Sequence, residues 1–225
     1  MNHIDILTCQ PEILDSPFNN SIIKIAQEKN LVSIKVHNLR DYTENKHRKV
    51  DHSPFGGGGG MILKIEPVYN SIEELKKKKE IDEIIYMSAD GEKLNQKTSN
   101  QLSLLKNIII ICGHYKGIDE RIRKHLVTRE ISIGDYVLTG GELPAAVLTD
   151  SIIRLIPGVV SNESTILSDS FQDSLLDYPN YTRPAEFNGW KVPEVLLSGN
   201  QKLIDEWRIK QSYKNTKSKR PDILK

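Results

Sequence analysis

Ile108-Ile-Ile-Ile-Cys-Gly-His-Tyr-Lys-Gly-Ile-Asp-Glu-Arg121 and Ile131-Ser-Ile-Gly-Asp-Tyr-Val-Leu-Thr-Gly-Gly-Glu-Leu-Pro-Ala145 lie about one hairpin apart and share a pattern. Each is an apolar run that breaks at glycine and then enters a helix. Ile108 to Ile111 is an unbroken β-branched run, as expected for a strand buried on both faces of a parallel sheet. In such a sheet, ligands sit where strands end and helices begin, because backbone N–H groups are exposed there. Two such junctions close together predict one site built mostly from main chain. That suits a nucleoside-like ligand, whose base edge backbone groups can read.

Outward from these turns the chain reads as alternating strands and helices. A first strand is expected over His3–Thr8. A helix with Ser21 as N-cap then runs to Glu28, with Ile22, Ile25 and Ala26 on one face. A strand follows over Leu31–His37. A polar segment leads to Gly56–Gly60, five consecutive glycines. These are costly to order, yet ordered-looking apolar sequence resumes at Met61, so an ordered loop is preferred to a linker. A phosphate cradle or a close backbone passage would explain it. Ser71 begins a helix whose lysines, Lys76 to Lys79, suit the negative end of its dipole and read as solvated. A short strand over Ile84–Met87, a helix over 98–105, the Ile108 strand, a helix over 118–126, a strand or hairpin over 128–138 and a helix over 143–155 complete the pattern. Pro144 sits in that last helix's first turn. The order predicts an α/β protein, mainly parallel, with helices on both faces.

The 225 residues suffice for one large domain or two small ones. Hydrophobic and charged contents of 38% and 27% fit a soluble globular protein. No apolar run approaches the ~20 residues of a membrane span, and no secretory signal is visible. Two cysteines, Cys9 and Cys112, make neither a disulfide framework nor a zinc set, which favours a reducing cytoplasm. Cys112 reads as a small core residue. The net charge of +1 is unevenly spread. Lys202–Lys225 holds eight Lys/Arg against three Asp/Glu, whereas Ser161–Tyr178 holds four acids and no base. A basic tail beside an acidic loop suits a polyanionic partner; a solvated helix end explains the tail equally simply. Asn162–Asn180 reads as a long mobile loop, a domain boundary is placed between 160 and 180, and a helical unit runs from about Asn200.

The usual catalytic signatures are absent. Gly56–Gly60 is not followed by Lys-Ser/Thr, so it is no Walker loop. There is no G-x-S-x-G elbow. The six histidines show no metal-ligand spacing, so no metal site is read. Asp169, flanked by Ser168 and Ser170, would become a stronger base if a ligand closed its loop; an Asx turn is the simpler account, and the residues alone favour it. Arg154 follows Asp150 by four residues, so an ion pair on one helix face competes with a role in stabilising charge on a substrate oxygen.

Six segments in fixed order resemble one family. They are Asp51-His-Ser-Pro-Phe-Gly-Gly-Gly-Gly-Gly-Met61, Gly113-His-Tyr-Lys-Gly-Ile-Asp-Glu-Arg121, Ser132-Ile-Gly-Asp-Tyr-Val-Leu-Thr-Gly-Gly-Glu-Leu-Pro144, Arg154-Leu-Ile-Pro-Gly158, Leu176-Asp-Tyr-Pro-Asn-Tyr-Thr-Arg-Pro184 and Val195-Leu-Leu-Ser-Gly-Asn200. The chain resembles the bacterial tRNA (guanine-N1)-methyltransferases, the TrmD family of the SPOUT class, from Ile4 to about Leu224. The resemblance implies a SPOUT-type parallel sheet with a C-terminal trefoil knot and then a small helical domain. It implies a knotted S-adenosyl-L-methionine-binding domain over 1–160, a flexible lid over 161–178 and a helical tRNA-binding domain over 179–225. It further implies an obligate homodimer acting on the anticodon stem-loop, at the guanine 3′ to the anticodon (position 37), in a reaction that depends on magnesium (Mg2+).

By the same resemblance, Tyr86, Met87, Ser88, Ala89, Gly113, His114, Tyr115, Gly117, Ile133, Gly134, Tyr136, Val137, Leu138, Gly140, Gly141 and Pro144 hold the methyl donor. Asp169 becomes the general base for guanine N1, and Arg154 stabilises charge at the guanine carbonyl oxygen. Three positions depart from the family pattern. Lys116 replaces the usual glutamate, reversing a charge beside the donor pocket and counting against a metal role there. Gly59 replaces a proline, and His52 replaces an acid. The basic side chains Lys210, Lys214, Lys217, Lys219 and Arg220 would meet anticodon-stem phosphates.

Overall fold

The computed structural model describes residues 1–160, 169–171 and 174–224, which form two compact units, Met1–Ser161 and Asn162–Lys225. In the first, β1 (Asn2–Thr8), β2 (Val32–Asn38), β5 (Glu83–Lys93), β6 (Asn107–Cys112) and β7 (Arg129–Ser132) form one sheet in the order β2-β1-β6-β5-β7. All its pairings are parallel. A separate antiparallel pair joins β3 (Asp51–His52) to β4 (Ile62–Leu63).

The isoleucine run is the middle strand, and its alternation divides the core. Ile108, Ile110 and Cys112 face one side, with Ile4, Ile6, Ile85 and Met87. They pack against α2 (Ser21–Glu28), α4 (Gln96–Ser103) and α6 (Glu142–Ile153) through Ile23, Leu102, Ala145, Leu148 and Ile152. Ile109 and Ile111 face the other side, with Leu7, Ile84 and Tyr86. There α3 (Ile65–Lys78) and α5 (Glu120–His125) contribute Val68, Ile72, Leu75 and Ile122. Full burial of each such side chain contributes about 1.5–3 kcal/mol, so this strand anchors both layers. A short helix, α1 (Asp15–Phe18), adds Phe18 to the first layer.

Several boundaries differ from the sequence reading. Helix α3 begins at Ile65 instead of Ser71, because Pro67 lies in its first turn, where no N–H is needed. Asn20, not Ser21, occupies the N-cap of α2, and its buried side chains are Ile23 and Ala26 while Ile25 is exposed. Strand β5 runs on to Lys93 through an irregularity between Met87 and Glu92, both of which pair with Ile131. Gly91 permits this, since a Cβ there would stand 2.6 Å from the Glu130 carbonyl carbon. The 128–138 segment is a single short strand ending at Ser132, and the chain beyond it turns away to line a cavity. The glycine run also differs. A Cβ on any of Gly56–Gly59 would meet no atom within 4 Å, so no other protein segment passes close to them, and only Gly60 faces a neighbour, the stem of Lys116.

The lysines after α3 do not all lie in solvent. Lys79 Nζ is 2.6 Å from Asp5 Oδ2, and His37 Nε2 is 2.6 Å from Asp5 Oδ1. The Asp5 side chain is 3% exposed, so this carboxylate is compensated inside the protein.

In the second unit, β8 (Glu186–Phe187) and β9 (Trp190–Lys191) form a hairpin. Its turn residues, Asn188 and Gly189, have φ of 52° and 79°, as an Asn-Gly hairpin turn requires. Then come α7 (Glu194–Leu197) and α8 (Gln201–Lys219), the latter capped by the Asn200 side chain. Part of the stretch read as a mobile loop is tied to α8: Leu176 N–H donates to Thr216 Oγ1 at 2.8 Å, and the Asn215 side chain donates to the Asp177 carbonyl at 3.1 Å. Among the described residues, no helix is long and apolar enough to cross a membrane.

Burial pushes the Asp5 carboxyl up, but the His37 and Lys79 hydrogen bonds outweigh it and hold the group below its ordinary value. Its contribution is therefore complete above the unfolded pKa of about 3.9 and is lost as pH falls through the lower folded value. Asp5→Ala should cost about 3 kcal/mol near neutral pH by stranding its partners. Urea unfolding should show the gap to wild type narrowing in acid; a pH-independent gap would refute this account.

Candidate active site

The C-terminal ends of β5, β6 and β7 open onto a cavity of about 430 Å³, within the usual size range of ligand pockets. Its wall comes from residues 86–90 of β5, 113–118 after β6, and 131–134, 136–141 and 144 between β7 and α6, with Arg123 from α5. Every residue expected at the donor pocket, from Tyr86 to Pro144, lies on this one wall. Asp90 and Arg123 were not foreseen.

Glycines shape the wall by letting chain segments touch. Gly141 N–H donates to the Gly113 carbonyl at 2.7 Å, and His114 bridges Gly140. A Cβ on Gly141 would stand 2.7 Å from Cys112 Cα and 2.8 Å from Gly113 N. Gly117 and Gly134 adopt φ of +109° and +154°, which L side chains rarely tolerate. The chain after the glycine run supports the loop that follows β6: Lys116 N–H donates to the Met61 carbonyl, and Leu63 N–H to the Gly117 carbonyl, both at 3.0 Å.

Arg123 organises the charges. Its Nε reaches Glu130 Oε1 at 2.9 Å, its Nη2 reaches Asp90 Oδ2 at 2.8 Å, and its guanidinium lies 5.7 Å from the centre of the Tyr86 ring. Hydrogen bonds from Ser88 and Arg123 hold the Asp90 carboxyl down at about 2. Burial pushes the Tyr86 phenol up to about 12. Near neutral pH the wall thus presents a neutral phenol and an ionised carboxylate. Asp90 is its one carboxylate among the described residues, and Arg123 already engages it. That is not the oxygen-rich set magnesium takes, and Lys116 adds a positive charge to the same wall.

Beneath the wall, His114, Glu142 and Cys9 come together, although no sequence spacing connects them. Glu142 is 2% exposed and accepts a 2.6 Å hydrogen bond from the Thr8 hydroxyl. Burial, reinforced by Glu142, pushes the Cys9 thiol up to about 11. Arg154 is half-buried at the C-cap of α6, where its N–H donates to the Asp150 carbonyl at 3.2 Å. Asp169 is half-buried in the second unit. Ser168 and the lid positions 161–168 and 172–173 lie outside the described residues.

Residues 2–225 match the sequence profile described as tRNA (Guanine-1)-methyltransferase TrmD. The chain belongs to the tRNA (guanine-1)-methyltransferase family. Among its relatives, each named tRNA (guanine-N(1)-)-methyltransferase, the Flavobacterium psychrophilum protein is 60% identical and the Bacteroides thetaiotaomicron protein 59%, with 98% of each chain covered. The Porphyromonas gingivalis protein is 57% identical, with 99% of each chain covered. A methyltransferase family of this kind implies S-adenosylmethionine as methyl donor.

The two kinds of glycine should separate by stability. Gly141→Ala forces backbone apart and should cost about 1–3 kcal/mol or more. Gly59→Ala, facing open space without a positive φ, should stay within about 0.5 kcal/mol. Thermal unfolding of both variants checks this; equal losses would refute the close-approach reading.

Proposed function

We propose that this protein transfers a methyl group from S-adenosyl-L-methionine to ring nitrogen 1 of the guanine 3′ to the anticodon (position 37) of tRNA. The observation that carries the proposal is the family match over residues 2–225, together with a glycine-walled cavity at the strand ends. The cavity fits such a donor on physical grounds. Its wall is largely main chain, because Gly113, Gly140 and Gly141 stand where a Cβ would strike neighbouring protein atoms, and exposed backbone groups can read a base edge. When bound, the donor supplies an electrophilic methyl group on a sulfonium.

The chain's own groups do the rest. Asp169 takes the proton from guanine N1, which is not nucleophilic while protonated. Arg154 lowers the cost of the charge that deprotonation pushes onto the guanine carbonyl oxygen. Positioning of the two reactants supplies much of the acceleration, and the base must leave its stack to be reached. Among the described residues, the wall offers no oxygen-rich ligand set for magnesium. On α8 the exposed Lys210, Lys214, Lys217 and Lys219 are suited to anticodon-stem phosphates, as expected of a protein working on cytoplasmic tRNA.

The proposal includes the SPOUT knot and the homodimer. The return of 133–141 across Cys112–Gly113 is consistent with a knotted crossing. Exposed Tyr136, Val137, Leu138, Leu143 and Val147, beside the cavity and on the start of α6, would be covered by a second copy.

Labelled-methyl transfer to two tRNA transcripts, with guanine or adenine 3′ to the anticodon, tests the reaction. Transfer to the guanine transcript alone is expected. Tight RNA binding without transfer by folded protein would replace the enzyme by a binding protein. Asp169→Ala should lower turnover by roughly 10²–10⁴-fold with donor affinity, read by calorimetry, retained; undiminished turnover would remove Asp169 as the base.

A further inference from the structure

We propose that Cys9, His114 and Glu142 form a binding site for a thiophilic divalent metal of the zinc class, pinning the floor of the cavity. The three residues leave three different elements at one edge of the sheet. Cys9 follows β1, His114 follows the adjacent β6, and Glu142 opens α6. Sγ, an imidazole nitrogen and a carboxylate oxygen all lie within 4.8 Å of one another. Cys9 and Glu142 are 3% and 2% exposed.

His114 Nδ1 carries the argument. It is buried and has no hydrogen-bond partner, a condition that native structures avoid. The nearest carboxylate oxygen, Glu142 Oε2, is 4.0 Å away, too far for a hydrogen bond. Around one tetrahedral ion, with bonds of about 2.0–2.3 Å, ligand atoms stand about 3.3–3.8 Å apart, so closure needs movements of about 1 Å or less. The other oxygen of Glu142 is held by the Thr8 hydroxyl at 2.6 Å, which leaves Oε2 facing His114 and is the kind of outer partner that orients metal-bound carboxylates. Thiolate and carboxylate would neutralise a divalent ion in this buried setting. The sulfur and nitrogen donors select zinc or cobalt over magnesium. Because His114 also lines the cavity, the ion would stiffen its floor whatever ligand the cavity takes.

Cobalt(II) titration of the full-length protein, stripped with chelator and then freed of it, tests the site. One equivalent per chain should bind, with tetrahedral visible bands and a thiolate charge-transfer band. Cys9→Ser should abolish that band and weaken binding at least about 100-fold, Thr8→Val should weaken it roughly 10–100-fold, and Cys112→Ser should keep the band. Zinc should also raise the unfolding temperature of wild type but not of Cys9→Ser, a readout independent of activity. Failure of the folded wild type to bind would overturn the proposal. Binding unchanged in Cys9→Ser would overturn it too, by placing the metal elsewhere.

Discussion

The contact between Gly141 and the Cys112–Gly113 backbone is the constraint on which the rest of the first unit depends. At this point two chain segments, separated by a helix and a strand, meet with no side chain between them. Because Gly141 has no Cβ, its N–H can reach the Gly113 carbonyl and α6 can begin directly beneath the end of β6. That start sets Glu142 inside the protein, beside His114 and Thr8. It also folds residues 133–140 over the strand ends and thereby walls the cavity.

The energy that holds this crossing comes from the layers on either side of it. Ile108 to Cys112 are buried on both faces, so both helix layers share one strand. Helix α6 buries Ala145, Leu148, Ile152 and Ile153 against the sheet and cannot shift without opening the core. The charged groups follow a different rule. Asp5 and Glu142 are both almost wholly buried, and each has hydrogen-bonding partners drawn from distant parts of the chain. Arg123 links α5 to β5 and β7 at the cavity in the same manner. These pairs contribute geometry more than net stability, since desolvation consumes much of their attraction.

The reading of the α/β class from the chain succeeded where burial is expressed as a pattern. Four isoleucines in a row can be buried on both faces only inside a covered sheet, and the glycines that follow mark its ligand-bearing edge. Local chemistry was less reliable at element ends. Pro67 was compatible with a helix beginning at Ile65, but the apolar run from Met61 read only as ordered structure, with the helix start placed at Ser71. Gly91 allowed β5 to continue past a break that looked final. Lys79 looked like one more solvated lysine because Asp5 is 74 positions away.

Periodicity and punctuation in the chain were thus enough to establish the sheet class, the central strand and the glycine junctions, because each depends on neighbours within a few residues. Family resemblance supplied the residues expected to hold a donor, which no spacing rule could have selected and which the structure gathers on one cavity wall. Tertiary structure alone decided the order β2-β1-β6-β5-β7, the charge cluster around Arg123 and the meeting of Cys9, His114 and Glu142. Those depend on contacts between segments up to more than a hundred residues apart, and no local sequence pattern encodes a distance through space.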